Sequence, residues 1–508
     1  MDKRKSILNV VVSIVFRFFM LVGSIIVRRF LIKYIGNEVN GLNSLFESLI
    51  GFLSVAELGV GSAITFCMYK PIVEQDENKV AALYQLFTKT YRIIGAIVLL
   101  AGSLLIPLMP YLAKDYLELD VNLGTTFFLM LLSVVISYVF SAKTSLINAY
   151  KNNYITTAIS STGMILQYVL QIIVVISTNS FTGYLICRIV AMLFQWAVTE
   201  IYTYKQHVRI LKHKREQIDL DTKQEIINKV KALFMHRIGG ILVNSADSMI
   251  ISAYIGVVVL GKYSNYSTIA VSMSSVIALF FSPLTSIIGH MFITEKDETE
   301  RYYNKFYALN YILGVVFFLG YYAVIDNLVA ILFGDNLELS NSVVLVIVIN
   351  YFVQFMRQST LLFRDATGTF YNDRWKPLFE GILNVILSVI FVKLFGLSGG
   401  DELGVVGVIV ATIITNLTIC HIVEPLVLYK HAFKKPVKGH LITNYIYIFM
   451  FVIVLFLMDR CMITHDSEMI EMLLNGCISL MFSAGIAFVV IMTNKEIRKV
   501  IASKIKGR

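Results

Sequence analysis

Long apolar stretches separated by short polar segments form the dominant pattern along the chain. Fourteen stretches are long enough, at about 20 residues, to cross a bilayer as a helix. They begin near residues 7, 41, 93, 123, 155, 181, 232, 263, 306, 341, 377, 404, 441 and 470. Their apolar residues run on without the alternation that marks membrane β-strands. The pattern therefore predicts an all-α polytopic membrane protein with about 14 transmembrane helices.

Basic residues are distributed unevenly between alternate loops. The chain has 44 Lys and Arg residues. With a cytoplasmic N-terminus, 33 of them fall in cytoplasmic segments, 5 in outer loops and 6 inside the apolar stretches. Because Lys and Arg concentrate on the cytoplasmic side of membrane proteins, both termini are expected in the cytoplasm. The net charge of +10 lies mainly in loops between stretches, so it does not indicate nucleic-acid binding.

An internal repeat relates two parts of the chain at an offset of 220 residues. Residues 34–36 (YIG) are followed five residues later by Gly41, and residues 254–256 (YIG) are followed at the same spacing by Gly261. Each copy has six stretches, so the copies have the same orientation, as in parallel repeats about an axis along the membrane normal. We therefore expect two six-helix lobes around a central cavity, with two extra C-terminal helices.

The repeat predicts three parts in the chain. Residues 1–225 would form the N-terminal six-helix lobe with a charged cytoplasmic linker, and residues 226–436 the C-terminal six-helix lobe. Residues 437–508 would form the two additional helices and a basic cytoplasmic tail. In transporters built from such repeats, the substrate binds between the halves, and access alternates as one half rocks against the other.

Six arginines and no lysine lie inside the apolar stretches. A charge within the membrane is costly and generally faces a cavity where it has a function. The planar guanidinium group matches phosphate or carboxylate, so these arginines predict an anion site. Arg17 and Arg237 occupy equivalent positions in the repeat and are the leading candidates. Further candidates are Arg28, Arg188 and Arg357.

Ion pairing is the alternative interpretation of these arginines, with Glu47, Glu57 and Asp247 as available partners. Arg28 and the adjacent Arg29 also lie close enough to the outer end of the first stretch to reach lipid headgroups. Glu57 and Asp247 could instead titrate, or bind a cation that couples to transport. No histidine or cysteine spacing indicates a metal site, and nothing indicates a cofactor or catalytic residues.

Several short motifs carry a resemblance to a known family. They are residues 41–46 (GLNSLF), 56–64 (AELGVGSAI), 69–71 (YKP) and 91–92 (YR) with Gly95, and in the second half 247–252 (DSMIIS), 261–266 (GKYSNY) and 286–289 (SIIG). Together, over nearly the whole chain, they resemble the Wzx-like polysaccharide/oligosaccharide flippase family. That family is the polysaccharide transporter branch of the multidrug/oligosaccharidyl-lipid/polysaccharide exporter superfamily.

The resemblance implies a flippase of the bacterial plasma membrane. Its substrate would be an oligosaccharide repeat unit linked through a diphosphate to an undecaprenyl-type lipid. The unit would move from the inner to the outer leaflet for the synthesis of capsule or cell-surface polysaccharide. Membrane lipids are implied partners, and a polysaccharide polymerase and glycosyltransferases are candidate partners. The intramembrane arginines would then bind the diphosphate, a role that rests on their charge and not on a fixed family position.

Other functions stay open on the sequence alone. A lipid II-type flippase shares the same chemistry. A multidrug exporter of the same superfamily generally carries cations, which paired arginines in a cavity would repel. A polytopic glycosyltransferase or polymerase usually has a large outer loop with catalytic residues. The outer loops here are short, the longest having about a dozen residues between Asp459 and Ile470, which favours a protein that is not an enzyme.

Overall fold

The computed structural model is almost wholly helical. It describes residues 3–57, 59–116, 119–213, 218, 220–281 and 284–494, with side chains left out at some helical positions, chiefly 3–15, 17–18 and 231–244. No β-strand occurs in this part of the chain. The prediction of an all-α protein is confirmed.

Each of the 14 predicted stretches begins in a different helix. The helices of the first half are α1 (Lys3–Tyr34), α2 (Asn37–Leu53), α3 (Val60–Val73), α4 (Glu77–Leu105), α5 (Met109–Leu112), α6 (Leu123–Ala149), α7 (Asn153–Thr178), α8 (Phe181–Lys212), α9 (Leu220–Tyr254) and α10 (Val257–Phe281). Those of the second half are α11 (Leu284–Thr294), α12 (Thr299–Phe333), α13 (Asn341–Ala366), α14 (Lys376–Gly399), α15 (Asp401–Thr415), α16 (His421–Leu428), α17 (Lys438–Asp459) and α18 (Glu468–Thr493).

The helices have the length and surface of membrane spans. Within the described residues, ten are long and apolar enough to cross a membrane. Many large apolar side chains stay exposed, among them Ile293, Leu397 and Met481. A soluble monomer rarely exposes so much apolar surface, whereas a lipid-facing surface requires it. The chain is therefore a multi-pass membrane protein.

Two predicted stretches are interrupted. The second divides into α2 and α3, joined by a 3₁₀ turn over Ser54–Glu57 and by Gly59, whose φ of 81° lies in the left-handed region that favours glycine. The twelfth contains a π-helical turn over Asn416–Cys420, between α15 and α16. Such π turns commonly occur at functional sites, because they rotate the following side chains relative to a regular helix.

The repeated YIG segments form the same turn in both copies. Gly36 follows α1 with φ 126°, and Gly256 follows α9 with φ 141°. Gly36 N–H donates to the Leu31 carbonyl at 3.2 Å, and Gly256 N–H donates to the Ile251 carbonyl at 3.0 Å. These bonds satisfy carbonyls at the helix ends, and glycine permits the positive φ. The equivalent turns explain why this part of the repeat is visible in the sequence.

The repeated glycines that follow these turns bring α2 and α10 into close contact. A Cβ added to Gly41 would lie 1.9 Å from the Val257 carbonyl oxygen, and one added to Gly261 would lie 2.4 Å from the Asn37 carbonyl oxygen. Val257 and Asn37 are themselves 220 residues apart. The equivalent glycine of each copy thus lies against the backbone that follows the YIG turn of the other copy.

The chain divides into two compact units, residues 1–261 and 262–508. The first unit includes α9, which packs against α2 and α3. A core of aromatic and aliphatic residues from α3, α4 and α6 lies within it, including Phe87 stacked on Tyr91. In the second unit α12, α13 and α17 meet through stacked rings, with the centroids of Phe352 and Phe451 3.6 Å apart. The predicted three-part division stays a prediction.

Candidate functional site

Two of the predicted arginines meet around one carboxylate in the first unit. Arg188 Nη1 of α8 lies 3.8 Å from Glu47 Oε1 of α2. Arg28 of α1 interacts electrostatically with the same carboxylate and with Tyr184. Tyr168 of α7 interacts with Glu47 and with Arg188. We call these five residues the Glu47 cluster.

Local helix packing positions the Glu47 cluster. Arg28 lies six residues before the end of α1, and Arg188 lies seven residues after the start of α8, so both are within about two helical turns of a helix end. Gly23 allows the close approach of α7, because a Cβ there would lie 2.6 Å from the Tyr168 ring. The Gln171 side-chain amide donates to the Tyr184 carbonyl at 3.2 Å and ties α7 to α8.

The Glu47 cluster contains two guanidinium groups and one carboxylate. Arg188 pairs with Glu47, and Arg28 interacts with it electrostatically. The side chain of Glu47 is 53% exposed and that of Arg188 is 23% exposed, so both are accessible from outside the protein core. Two guanidinium groups with two nearby phenols supply several hydrogen-bond donors. This arrangement suits an anion with several oxygen atoms, such as a diphosphate.

Arg357 lies in a different environment in the second unit. Its Nη2 donates to Glu424 Oε1 at 2.6 Å and its Nε to Glu424 Oε2 at 3.2 Å, a bidentate pair. Its Nη1 donates to Asn416 Oδ1 at 2.5 Å and to Glu380 Oε1 at 3.3 Å. Lys376 Nζ lies 2.5 Å from Glu424 Oε1 and 3.0 Å from Glu380 Oε2. We call these five residues the Arg357 network.

The Arg357 network is buried and electrically balanced. Its two cations, Arg357 and Lys376, face two carboxylates, and none of the four side chains is more than 15% exposed. The π turn places Asn416 on the guanidinium group. A buried pair is tolerated when its geometry is good and its hydrogen bonds are complete. The network therefore joins α13, α14 and α16, and in this arrangement the donors of Arg357 are occupied by the protein itself.

The sequence interpretation missed several members of these clusters. It placed Lys376 in a cytoplasmic loop and did not single out Glu380 or Glu424, which lie in apolar helices. It also left Arg364 at the membrane surface. Arg364 is 4% exposed, and its Nη1 pairs with Asp373 Oδ2 at 2.8 Å. The criterion that identified the arginines, a charge inside an apolar stretch, would also have found the two glutamates.

The remaining candidate residues are not members of these two clusters, and for some of them the side chains are outside the described part of the structure. Glu57 accepts a hydrogen bond from the Tyr91 hydroxyl at 2.8 Å, beside a polar cavity. Asp247 is 8% exposed on α9, and Arg29 is exposed. The side chains of Arg17 in α1 and Arg237 in α9 are outside the described part of the structure.

No metal centre emerges from the described residues. They contain no group of three or more His, Cys, Asp or Glu side chains that could hold a metal ion. The five cysteines are unpaired thiols, and Cys187 and Cys420 are buried.

Comparison with solved structures identifies the fold. The lipid II flippase MurJ in an inward closed conformation superposes with a TM-score of 0.61 at 15% identity, covering 95% of this chain and 100% of that one. The chain has the fold of the MOP transporter superfamily. An inward-facing MATE-family multidrug-resistance transporter of that superfamily gives a TM-score of 0.59 at 15% identity, covering 88% of this chain and 98% of that one.

A third match has the same architecture. A variant of the Vibrio cholerae MATE transporter VcmN gives a TM-score of 0.54 at 15% identity, covering 85% of this chain and 100% of that one. No protein-family model matches the sequence, and no curated protein matches it significantly. At these identities the likeness is one of fold, and the matched structures are a flippase and transporters.

Proposed function

We propose that the protein is a flippase for an oligosaccharide linked through a diphosphate to an undecaprenyl-type lipid. It would carry the repeat unit from the inner to the outer leaflet by alternating access, for capsule or cell-surface polysaccharide synthesis. The observation that carries the proposal is that two arginines within apolar helices, Arg28 and Arg188, both interact with Glu47, whose side chain is 53% exposed. The likeness to a protein named as a lipid II flippase supports a lipid-linked substrate.

The charges favour this substrate over a cationic drug. A multidrug exporter of cations would need a cavity in which carboxylates outnumber cations, whereas the Glu47 cluster has two cations to one carboxylate. A lipid II-type substrate has the same diphosphate and stays the closest alternative. The Wzx-like motifs favour a polysaccharide repeat unit. A polymerase and glycosyltransferases are proposed as partners, in a bacterial plasma membrane with both protein termini cytoplasmic.

Arg28 and Arg188 are proposed as diphosphate ligands. Arg17 precedes Arg28 by eleven residues in α1, about three helical turns, so the two positions belong to one face of the helix. Arg17 and its repeat equivalent Arg237 stay in the proposal. Arg357 would contribute only if a substrate or a conformational change displaced Glu424 and Glu380. Glu57 and Asp247 stay proposals for cation coupling.

The membrane potential would assist outward movement of this substrate. Two negative charges that cross a potential of about 100 mV gain about 4–5 kcal/mol. A flippase that carries an anionic head without a compensating cation should therefore respond to an imposed potential. The lipid tail can stay in the bilayer while the polar head crosses between the helices.

The test is translocation of undecaprenyl-diphosphate-linked oligosaccharide in proteoliposomes. Each hydrogen bond to a charged group contributes about 1.5–3 kcal/mol. Arg28→Ala and Arg188→Ala should therefore each reduce transport by about tenfold or more, and Arg28→Lys and Arg188→Lys should restore only part of it, because lysine lacks the planar fork. Arg29→Ala, a change to an exposed neighbour in the same helix, is the matched control and should transport normally.

Two results would contradict the proposal. Wild-type protein that moves no lipid-linked oligosaccharide at any imposed potential would refute the flippase function. Undiminished transport by the Arg28→Ala/Arg188→Ala double variant would be consistent with a flippase. It would show, however, that the Glu47 cluster is not the diphosphate site. The same assay with Arg17→Ala and Arg237→Ala tests the leading sequence candidates.

A further inference from the structure

The first unit contains a polar cavity whose lining residues belong to neither charge cluster. It has a volume of about 450 Å³ and lies between α3, α4, α6 and the start of α7. The side chains that line it include Glu57, Ser62, Phe66, Tyr69, Ser145 and Asn148. A cavity of this size is within the range of sites that bind small molecules, about 300–1,000 Å³.

The break between α2 and α3 shapes this cavity. The 3₁₀ turn that follows α2 ends at Glu57, and Gly59 and Gly61 form part of the cavity wall. A Cβ on Gly61 would lie 2.5 Å from the Tyr91 hydroxyl, so glycine leaves room for the bond from that hydroxyl to Glu57. The carboxylate is thereby held at the cavity wall.

Several polar groups of the cavity lack partners within the protein. In the part of the chain that the structure describes, the hydroxyl groups of Ser62, Tyr69 and Ser145 make no hydrogen bond. Asn148 uses its side-chain oxygen to accept from the Thr156 hydroxyl at 2.6 Å, which leaves its amide hydrogens available. These groups offer donors and acceptors to a ligand with several hydroxyl groups.

Two exposed aromatic rings complete the lining. Phe66 is 56% exposed and Tyr69 is 48% exposed, and their centroids lie 5.9 Å apart. An aromatic ring offers an apolar face to a flat, partly apolar ligand. Lys229 Nζ lies 3.6 Å from the centroid of the Phe66 ring, but Lys229 is not among the residues that line the cavity.

We propose that this cavity binds a sugar ring of the lipid-linked oligosaccharide, an inference that rests on the proposed flippase function. A sugar presents hydroxyl groups at its edge and C–H groups on its face, which match the polar groups and the rings. The carboxylate of Glu57 accepts strongly from hydroxyl donors. The described residues that line the cavity include a carboxylate and no arginine or lysine, so the cavity does not suit a diphosphate.

The position of the cavity suits contact with the substrate on the cytoplasmic side. Asn148 near the end of α6 and Asn153 at the start of α7 both line it, on either side of the turn between these helices. The distribution of basic residues predicts that this turn is cytoplasmic. The sugar head of a substrate made in the cytoplasm would therefore meet this cavity before it crosses the membrane.

Sugar binding is tested with purified protein in lipid nanodiscs. The probes are the methyl glycosides of glucose, galactose and N-acetylglucosamine, detected by saturation-transfer NMR. Wild-type protein should bind at least one of them, and Glu57→Gln, Ser145→Ala and Asn148→Ala should each weaken binding several-fold or more. Glu57→Gln keeps an acceptor for Tyr91. Ser137→Ala on the same helix is the matched control, because the Ser137 hydroxyl bonds only to the Val134 carbonyl at 2.6 Å.

A transport experiment separates this inference from the proposed function. Proteoliposomes are given undecaprenyl diphosphate either without sugar or with one N-acetylglucosamine. Wild-type protein should prefer the sugar-bearing lipid, and Ser145→Ala with Asn148→Ala should abolish that preference while still moving the bare lipid. A wild type that binds glycosides but moves neither lipid would refute the flippase and leave the cavity as a sugar site.

Two outcomes would overturn the sugar site. In one outcome, the cavity variants keep the wild-type preference for the sugar-bearing lipid and the wild-type affinity for the glycosides. The other is binding of a cation in place of a sugar. In that outcome, sodium ions raise the melting temperature of wild type but not of Glu57→Gln, and neither protein binds a glycoside. In that case Glu57 would belong to the coupling-ion proposal.

Discussion

At the scale of single residues, the number of nearby carboxylates decides what an intramembrane arginine can do. Arg357 and Lys376 face Glu380 and Glu424, so positive and negative charges are equal and buried. In the Glu47 cluster, two arginines share one half-exposed carboxylate. An equal number of opposite charges holds the packed helices together in the Arg357 network, whereas the exposed Glu47 carboxylate and its arginines are proposed as the anion site.

Removal of one partner of the Arg357 network should destabilise the protein strongly. Arg357→Ala leaves two buried carboxylates with one lysine, and Glu424→Gln leaves two buried cations with one carboxylate. Breaking a buried pair in this way costs about 3–5 kcal/mol. The measurement is the melting temperature in detergent, together with the free energy of unfolding in denaturant.

A double variant distinguishes charge balance from simple loss of contacts. Arg357→Met with Glu424→Leu leaves Lys376 and Glu380, which already lie 3.0 Å apart, as a balanced pair. The double variant should be more stable than either Arg357→Met or Glu424→Leu alone, as a double-mutant cycle would show. Lys70→Ala is the control, since its exposed pair with Glu74 contributes less than about 1 kcal/mol. Additive losses in the double variant would contradict the charge-balance explanation.

At the scale of helices, the breaks and close crossings place the polar residues. Gly59 ends the turn that follows α2 and places Glu57 at the wall of the polar cavity. The π turn before α16 positions Asn416 and is followed by Glu424 on the next helix. Two unbroken helices through these stretches would present other residues at both places, so the interruptions are part of the candidate sites.

The crossing of α2 and α10 should tolerate no side chain at Gly41. A Cβ there would lie 1.9 Å from a backbone oxygen, which cannot move as a flexible side chain can. Gly41→Ala should force the helices apart and cost about 1–3 kcal/mol or more in the free energy of unfolding. Thermal melting in detergent and the yield of folded protein report the loss.

Gly320→Ala is the control for this prediction. Gly320 lies within α12, and a Cβ there would meet no heavy atom within 4 Å. Alanine favours a helix over glycine, so this change should be neutral or stabilise by about 0.5–1 kcal/mol. Equal stability of Gly41→Ala and Gly320→Ala would show that α2 and α10 do not cross as closely as the structure indicates.

At the scale of the whole molecule, the fold matches that of MOP-superfamily transporters, and the orientation in the membrane stays a prediction from the basic residues. Labelling of single cysteines tests the predicted orientation. Cys461 is exposed in a predicted outer loop, whereas Asn372 is exposed in a predicted cytoplasmic turn. An impermeant maleimide should label Cys461 in right-side-out vesicles. In a Cys461→Ser background, Asn372→Cys should be labelled only in inside-out vesicles. The reverse labelling pattern would show that the protein has the opposite orientation in the membrane.

The sequence by itself determined the helical class, the membrane-spanning character of the helices and the repeated YIG turns. These properties follow from short segments: the length of an apolar run, the turn that Gly36 and Gly256 require, and the distribution of basic residues over loops. The YIG turns and the glycine crossing have equivalent geometry in both copies. The sequence also indicated that arginines inside the spans need anionic partners or ligands.

Only the tertiary structure decided which charges meet. Arg28 and Arg188 are 160 residues apart in the chain, and Arg357 and Glu424 are 67 residues apart, so no local pattern predicts either association. Which charged side chains meet depends on which helix faces pack together. It also depends on where a π turn changes the direction of the side chains that follow it. Because the cost of an isolated charge in the membrane is high, packing allows few arrangements. Those arrangements separate the balanced Arg357 network from the Glu47 cluster, which we propose as the anion site.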